Sequence, residues 1–468
     1  MARDQIDMTP VETRDDLVRW LEQGVRPKAG FRLGTEHEKF AFTRDRHAPV
    51  PYDGKRSIRA LLEGMQMLLG WEPIVEDGNI IGLLDVTGGG AISLEPGGQF
   101  ELSGAAVETV HETSTELMAH LAQLEQVARP LGIGFLGMGM TPKWSRAEMP
   151  IMPKGRYRIM TNYMPKVGNH GLDMMYRTCT VQANLDFCSE ADMVKKLRVG
   201  LALQPIATAL FANSPFTDGK PNGFISFRAQ IWLDTDKDRT GMLPWAFEPG
   251  MGFERWVDYA LDVPMYFIKR GDRYIDAAGQ SFRDLLAGRL AALPGERATL
   301  SDWANHLSTI FPEVRLKRYL EMRGADSGPW RRLPALPAFW VGLLYDDRSL
   351  DAAWDLVKHW SADERQQLRE QVPRLGFQAR VAGRTALDVA RECLGLARAG
   401  LARRNRRNAE PSDETRYLLP IEYFAERGIT PAEALLEKYY GPWRRSVEPA
   451  FDEQESVVST QWSTVGSQ

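Results

Sequence analysis

Carboxylate side chains recur at short spacings in two segments near the start of the chain. Glu36 and Glu38 occupy alternate positions in GTEHEKF, and Glu95 and Glu101 flank a Pro-Gly-Gly break in SLEPGGQFELSG. Residues two apart on a β-strand point to the same face of a sheet. Carboxylates gathered on one face repel one another and raise each other's pKa unless cations neutralise them. The spacing therefore predicts a cation-binding face.

Two later segments add amide and guanidinium groups to the same kind of face. In TCTVQANLDF (residues 178–187) polar and apolar residues alternate without exception, so Thr180, Gln182 and Asn184 share the polar face. In RLKRYLEMR (residues 315–323), which we predict to be a single strand, Glu321 and Arg323 lie on the polar face. Oxygen ligands without histidine or thiolate favour magnesium over zinc. Arginine binds phosphate or carboxylate through its planar fork.

The spacing alone thus predicts a magnesium–nucleotide site, because magnesium held by a few carboxylates usually completes its shell with substrate phosphates. The alternative is a solvated sheet face whose charges are incidental. For any single pair of glutamates, that alternative is the more common explanation. The agreement of several strands favours the site.

Hydrophobic periodicity indicates the elements that must position these residues. Strands are predicted over residues 30–43, 93–103, 178–187, 225–232 and 315–323. Helices are predicted over residues 13–22, 58–69 and 105–128, after Ser189, and from about Ala335 onward. Strands gathered early and helices gathered later indicate an α+β fold. We expect a catalytic sheet with flanking helices in residues 1–335, a helical region of the same domain in residues 336–450, and a flexible tail in residues 451–468.

Composition excludes several classes of protein. The chain has 468 residues, 43% of them hydrophobic, and a formal net charge of -4, which gives no reason to expect a nucleic-acid partner. No segment approaches the roughly 18 apolar residues that suggest a membrane-spanning helix. The first 23 residues are acidic and lack the apolar run of a secretory signal. Three widely spaced cysteines suit a reducing compartment, so we expect a cytoplasmic protein.

Long segments of the chain, in one order, resemble the plant-type glutamate–cysteine ligases. The segments are GTEHEKF, SLEPGGQFELSG, MPKGRYRIMTNYMPKVG, GLDMMYRTCTVQANLDF, LALQPIATALFANSPF, DTDKDRTGM and RLKRYLEMRGAD. The resemblance extends from about Phe31 to about Trp443. It implies a fold related to that of glutamine synthetase, in which a curved antiparallel sheet forms the floor of the active site, flanked by helices.

The resemblance also implies roles for the polar face. Acidic residues of the sheet would bind two or three magnesium ions. The implied metal ligands are Glu36, Glu38, Glu95, Glu101 and Glu321, together with Gln182, which stands where more distant relatives place a metal-binding histidine.

The implied reaction is the ATP-dependent ligation of glutamate to cysteine, the first step of glutathione biosynthesis. ATP would pass its γ-phosphoryl group to the side-chain carboxylate of glutamate, and the cysteine amine would then displace phosphate. Arg323 matches a phosphate-contacting arginine and is the implied catalytic residue. The expected partners are the small molecules glutamate, cysteine and ATP, and we expect a monomer or a weak homodimer.

Substrate-binding residues are predicted from the chemistry of side chains in these segments. An arginine is the expected partner of the glutamate α-carboxylate. An ordinary fold-stabilising role explains each candidate equally well. The candidates are Arg156 and Tyr157 in MPKGRY, Thr180 and Asn184 on the polar strand, and Arg228 with Trp232.

Three alternatives stay open on the sequence alone. A related ligase could join glutamate to an amine other than cysteine, a phosphagen-type kinase could share the fold class, and a binding protein could keep the fold without catalysis. Plant members of the family are known for disulfides that switch their activity. Cys179, Cys188 and Cys393 provide no counterpart to those bridges, so we predict no disulfide switch.

Overall fold

The segments with alternating polarity form a ten-stranded antiparallel sheet in the computed structural model, which describes residues 7–409 and 411–456. The strands, numbered in chain order, are β1 (Leu33–Thr43), β2 (Ala48–Pro49), β3 (Glu72–Glu76), β4 (Asn79–Leu84), β5 (Ala91–Leu94), β6 (Gln99–Ser103), β7 (Ile133–Leu136), β8 (Thr180–Leu185), β9 (Phe216–Thr217), β10 (Lys220–Pro221), β11 (Thr240–Gly241), β12 (Phe267–Arg270), β13 (Arg273–Asp276), β14 (Phe311–Pro312), β15 (Val314–Leu316), β16 (Leu320–Asp326), β17 (Arg380–Val381) and β18 (Arg384–Thr385). The order across the large sheet is β15-β16-β8-β1-β6-β5-β4-β3, and β2 and β7 also pair with β1.

Helices cover one side of this sheet and build the rest of the domain. They are α1 (Arg14–Glu22), α2 (Ile58–Leu69), α3 (Val110–Ala128), α4 (Gly155–Tyr163), α5 (Gly171–Arg177), α6 (Glu190–Phe211), α7 (Phe227–Trp232), α8 (Phe253–Asp262), α9 (Phe282–Leu286), α10 (Leu300–Leu307), α11 (Ala335–Leu344), α12 (Asp347–Val357), α13 (Ala362–Leu375), α14 (Ala386–Arg404), α15 (Leu419–Arg427), α16 (Pro431–Tyr440) and α17 (Pro449–Glu453). Within the described ranges, no helix is long and apolar enough to cross a membrane.

The apolar face of β8 packs against helices, as the alternation predicts. Val181, Ala183 and Leu185 are fully buried in a core that also contains the apolar residues of α6 and α11. The polar face of the strand is therefore turned to the other side of the sheet, away from these helices. Because α11 to α15 share this core with the sheet, these helices pack on the same body. The boundary at residue 335 itself stays a prediction.

Two predicted strands are wrong. Residues 225–232 contain helix α7, whose first turn is capped by Ser226: its Oγ accepts the amide of Ala229 at 3.2 Å. Over so few residues an apolar alternation fits a short helix as well as a strand. Residues 315–323 are not one strand but a hairpin, in which the amide of Lys317 donates to the carbonyl of Tyr319 at 2.8 Å.

The segment 93–103 likewise forms two strands, β5 and β6, joined at the Pro-Gly-Gly break. Gly98 has a φ of 80°, a left-handed conformation that a residue with a side chain rarely adopts. The break therefore marks a tight turn between paired strands, not a bend within one strand.

The predicted flexible tail is described only in part. Residues 457–468 lie outside the described residues. Before them, Phe451 and Ser456 are buried, and the amide of Ser456 donates to the carbonyl of Phe135 at 2.7 Å. Residues 451–456 thus pack beside β7, in contrast to the sequence-based expectation.

A close contact between α11 and α14 leads to a stability prediction. A Cβ added at Gly400 would lie 1.9 Å from the carbonyl oxygen of Gly342. We expect Gly400→Ala to lower the free energy of unfolding by at least about 1–3 kcal/mol, because the helices must separate. Denaturant unfolding measures this change.

The matched control is Gly395→Ala on the same helix, where an added Cβ meets no atom within 4 Å. This change should stabilise the protein by about 0.5–1 kcal/mol, since alanine is the better helix former. Equal effects of the two substitutions would contradict the close packing of α11 against α14.

Candidate active site

The polar face of the sheet brings the predicted acidic residues into register. Glu38 on β1 is paired with Glu101 on β6, and Glu36 is paired with Gln182 on β8. One row further, Asn184 is paired with Glu321 on β16. Directly paired residues on antiparallel strands have side chains on the same face. The face predicted from alternate spacing is therefore continuous across four strands.

A cavity of about 860 Å³, here called the main cavity, lies over this face. It contains most of the predicted site residues, which come from six separate segments of the chain. Predicted residues in its lining are Glu36, Glu38, Glu95, Glu101, Arg156, Tyr157, Thr180, Gln182, Arg228, Trp232 and Arg323.

Asn184 lies instead in a neighbouring cavity of about 1460 Å³, here called the second cavity. Its Nδ2 donates to Oε1 of Glu36 at 3.0 Å, and Glu36 lines both cavities. The wall of the second cavity carries the basic residues Arg26, Arg32, Lys317 and Arg318. The two cavities thus adjoin at Glu36. The main cavity has four glutamates, Glu36, Glu38, Glu95 and Glu101, here called the acidic floor, whereas the second cavity has a basic wall.

The glutamates of the main cavity repel one another. Burial and the nearby carboxylates of Glu95 and Glu101 raise the pKa of Glu38 well above its ordinary value. Burial and Glu101 also raise the pKa of Glu95. Glu38 accepts the amide of Thr180 at 2.8 Å, and Glu101 accepts the hydroxyl of Ser93 at 2.6 Å. These hydrogen bonds orient the carboxylates without neutralising their charge.

The donor set fits magnesium better than a metal held by protein ligands alone. Among residues 7–409 and 411–456, no three His, Cys, Asp or Glu side chains converge as a complete ligand cluster. Magnesium usually takes one or two carboxylates and fills its octahedron with water and substrate phosphates. Paired carboxylates such as Glu38 and Glu101 suit that behaviour.

Glu321 differs from the other predicted ligands. It is fully buried and lies outside the lining of both cavities. Its Oε1 is 3.0 Å from Nζ of Lys317, and its Oε2 lies 2.6 Å from Arg315 and 2.5 Å from Arg323. Although burial opposes ionisation, these cations hold the pKa of Glu321 well below its usual range. Metal binding by Glu321 stays a prediction, and it would require one of these ion pairs to open.

Two arginines in the lining of the main cavity each have a guanidinium nitrogen without a hydrogen-bond partner. The buried Nε atoms of Arg156 and Arg228 have no hydrogen-bond partner. Arg228 is only 3% exposed, and its terminal nitrogen donates to the carbonyl of Arg323 at 3.1 Å. A buried guanidinium with an unused donor favours binding of an anion. Because α7 begins at Phe227, Arg228 and Trp232 lie one helical turn apart, and both reach the cavity.

Sequence reasoning missed several residues of the main cavity. Arg315 pairs with Glu321 across the hairpin, so its side chain lies on the polar face of the sheet. A single strand over residues 315–323 would have placed Lys317 and Tyr319 on that face as well. The apolar wall contains Met160, Met175 and Phe267. The sequence does not reveal this turn, because Lys317, Arg318 and Tyr319 are not residues that favour turns.

The three cysteines are free. Cys179 and Cys393 are fully buried, and burial raises the pKa of the Cys179 thiol well above its ordinary value. Buried thiols of raised pKa react slowly, because the thiolate is the reactive form. The absence of a disulfide switch stays a prediction.

A family model and known proteins match most of the chain. The model of glutamate-cysteine ligase family 2 matches residues 32–453. Glutamate–cysteine ligase B, chloroplastic, of Oryza sativa subsp. japonica is 55% identical over 452 residues, which cover 97% of this chain and 89% of the relative. The chloroplastic glutamate–cysteine ligase of Arabidopsis thaliana is 58% identical over 441 residues, which cover 94% and 82%.

A solved structure shares the fold. The glutamate–cysteine ligase of Francisella tularensis, crystallised in complex with AMP, superimposes with a TM-score of 0.56 at 13% identity, covering 91% of this chain and 87% of that chain. At this identity the likeness shows the fold alone. It confirms the predicted α+β architecture with a large antiparallel sheet.

The expected cytoplasmic location is wrong on this comparison. The relatives from Oryza sativa, Arabidopsis thaliana and Nicotiana tabacum are named as chloroplastic proteins. The expectation rested on the composition of the first residues and on the cysteine count. Neither feature records the compartment in which a folded enzyme works.

Proposed function

The chain belongs to glutamate-cysteine ligase family 2, and we propose that its main cavity carries out the family's reaction through γ-glutamyl phosphate. That reaction is ATP-dependent, joins glutamate to cysteine and is the first step of glutathione synthesis. The observation that carries the proposal is the meeting of four glutamates with Arg156, Arg228 and Arg323 in one cavity. Such a cavity suits anionic substrates at its arginines and cations at its carboxylates.

The acidic floor would hold magnesium, as two or three ions. Glu36, Glu38, Glu95 and Glu101 are the proposed ligands, with Gln182 as a neutral oxygen donor beside Glu36. Raised pKa values at Glu38 and Glu95 support this assignment, because a bound cation would relieve the repulsion that raises them. Bound magnesium would supply charge neutralisation for the phosphates during phosphoryl transfer.

The second cavity is the proposed site of the nucleotide. Arg318 lies over the ring of Trp20, with 4.3 Å between its guanidinium carbon and the ring centroid, and donates to the carbonyl of Trp20 at 3.1 Å. Flat aromatic and guanidinium surfaces accept a purine base, and a basic wall favours phosphates. Since Glu36 lines both cavities, a nucleotide lying there would direct its phosphates toward the acidic floor.

The arginines of the main cavity would fix glutamate. The unpaired Nε–H groups of Arg156 and Arg228 can donate hydrogen bonds to a carboxylate. The hydroxyl of Thr180 and the ring of Tyr157 lie in the same lining. With the α-carboxylate held at the arginines, the side-chain carboxylate would point toward the acidic floor. Correct positioning of this kind accounts for a large part of catalysis in phosphoryl transfer.

Chemistry then proceeds in two steps. An oxygen of the glutamate side-chain carboxylate attacks the γ-phosphorus of ATP, and the bond to the ADP oxygen breaks. The cysteine amine attacks the resulting acyl carbonyl, the C–O bond to phosphate breaks, and the amine gives up a proton. Arg323 is proposed to contact the phosphoryl group in both steps, because charge on its oxygens must be stabilised throughout.

The apolar wall is the proposed place of the acceptor side chain. Met160, Met175 and Phe267 offer soft, polarisable surface that suits a small thiol. A different small amine acceptor remains the second candidate at this one position, since the acidic floor and the arginines would serve it equally well.

The direct test is ADP release from the purified protein with ATP, magnesium and glutamate, with and without cysteine, and product detection by mass spectrometry. The proposal expects cysteine-dependent ADP release and γ-glutamylcysteine. ADP release with another amine but not with cysteine would overturn the acceptor assignment. No ADP release with any amine would overturn the function.

A further inference from the structure

The hairpin of β15 and β16 concentrates positive charge in the wall between the two cavities. Arg315, Lys317 and Arg323 surround the carboxylate of Glu321, so three cations share one carboxylate at this contact. Arg315 is 3% exposed and Lys317 is 5% exposed. Buried charge of one sign is costly unless a partner of the opposite sign is present.

The members of the cluster face different cavities. Arg315 and Arg323 line the main cavity, whereas Lys317 lines the second cavity. All three cations form ion pairs with the buried carboxylate of Glu321. The hairpin therefore presents cations to both sides of the wall that separates the proposed nucleotide from the proposed glutamate.

Arg315 and Lys317 each keep a hydrogen-bond donor without a protein acceptor. The buried Nε of Arg315 has no hydrogen-bond partner, although its NH1 donates to the carbonyls of Ser308 and Ile310 at 2.8 and 3.1 Å. Lys317 has three ammonium protons and two contacts within 3.5 Å, to Glu321 at 3.0 Å and to the hydroxyl of Tyr319 at 3.4 Å.

We propose that Arg315 and Lys317 bind the polyphosphate of the nucleotide from the two sides of the hairpin. Arg315 contacts the phosphoryl group being transferred, together with Arg323, and Lys317 contacts the phosphates that remain on ADP. Glu321 positions the three cations. This inference rests on the proposed function, in which the nucleotide lies in the second cavity.

The test compares the binding of two ligands that differ only in their phosphates. Lys317→Gln keeps a hydrogen-bond donor for Glu321 but removes the positive charge. Lys317→Met also removes the charge and keeps the packing of the aliphatic part of the side chain. Calorimetry measures the Kd of ADP with magnesium and the Kd of adenosine for each variant that melts within a few degrees of wild type. We expect at least about tenfold weaker ADP binding with adenosine binding changed less than about twofold.

The matched control is Lys28→Gln, since Lys28 pairs with Asp347 at the surface and lines neither cavity. It should leave both affinities unchanged. ADP affinity within about twofold of wild type in a folded Lys317 variant would overturn the inference. An equal loss of adenosine and ADP binding would also overturn it, because that pattern indicates general damage to the cavity.

Steady-state kinetics separates this inference from the proposed function. Wild-type protein must first show cysteine-dependent ADP release, and its failure would refute the function whatever the Lys317 variants do. In the variants, the KM for ATP should rise while the KM for glutamate stays within about twofold. A rise confined to the KM for glutamate would contradict a phosphate contact.

Discussion

Glu38→Gln should lower kcat by about 10²- to 10³-fold while the protein remains folded. Glu38 lies at the centre of the acidic floor, paired across the sheet with Glu101 and influenced by the charge of Glu95. Glutamine has nearly the same shape but lacks the negative charge that draws a cation to this position. Loss of the charge therefore removes magnesium binding, not the cavity. Initial rates over a magnesium titration measure the effect.

The control for this experiment is Glu72→Gln on the exposed edge strand β3, which removes one carboxylate far along the sheet. It should behave as wild type. If Glu38→Gln retained wild-type turnover with an unchanged magnesium dependence, Glu38 would be excluded from the metal site.

The same substitution has a predicted effect on stability with a definite sign. For a carboxyl group whose pKa is raised by folding, the contribution to stability is fully present below the unfolded pKa and is lost as the pH rises through the folded pKa. Without magnesium, Glu38→Gln should therefore melt at a higher temperature than wild type at pH 8. The difference should shrink toward zero near pH 4. Added magnesium should stabilise wild type more than the variant.

Arg228→Gln should raise the KM for glutamate by about 10- to 100-fold, equivalent to losing a charge-assisted hydrogen bond of about 1.5–3 kcal/mol. Arg228 is buried at the start of α7, its Nε has no protein partner, and it lines the main cavity. A carboxylate is the ligand that best satisfies such a group. The KM for ATP should change little, because the basic wall of the second cavity does not include Arg228.

A suitable control is Arg283→Gln, since Arg283 forms exposed ion pairs with Asp262 and lines neither cavity. Its kinetic constants should match those of wild type. If Arg228→Gln left the KM for glutamate unchanged while lowering kcat, Arg228 would act on the transition state and not in substrate binding. Equal increases in the KM values for glutamate and ATP would indicate a general structural role.

The sequence allowed the acidic floor to be predicted because a strand has a strict period of two. Alternate spacing placed Glu36 with Glu38 on one face, and strand pairing added Glu101 and Gln182. Periodicity could not place Arg228, because it predicts a strand over residues 225–232. Its helix depends on the Ser226 cap and on packing against α5 and α13.

Turns and ion pairs between distant residues explain the remaining differences between the predicted and the observed structure. The tight turn after Lys317 folded a predicted strand back on itself and brought Arg315 opposite Glu321. No local pattern reports that three cations will share one buried carboxylate, because the pairing is fixed by register across the hairpin. The second cavity was missed for the same reason: its basic residues come from two segments, 26–32 and 317–318, that are far apart in the chain.

The central claim, that glutamate is activated as an acyl phosphate, is tested most directly by following oxygen. Glutamate labelled with ¹⁸O in its side-chain carboxylate is incubated with the protein, ATP, magnesium and cysteine, and the released phosphate is analysed by mass spectrometry. We expect one ¹⁸O in each phosphate released, because the carboxylate oxygen that attacks phosphorus leaves with it. Unlabelled phosphate accompanied by γ-glutamylcysteine would contradict the acyl phosphate and require another route of activation.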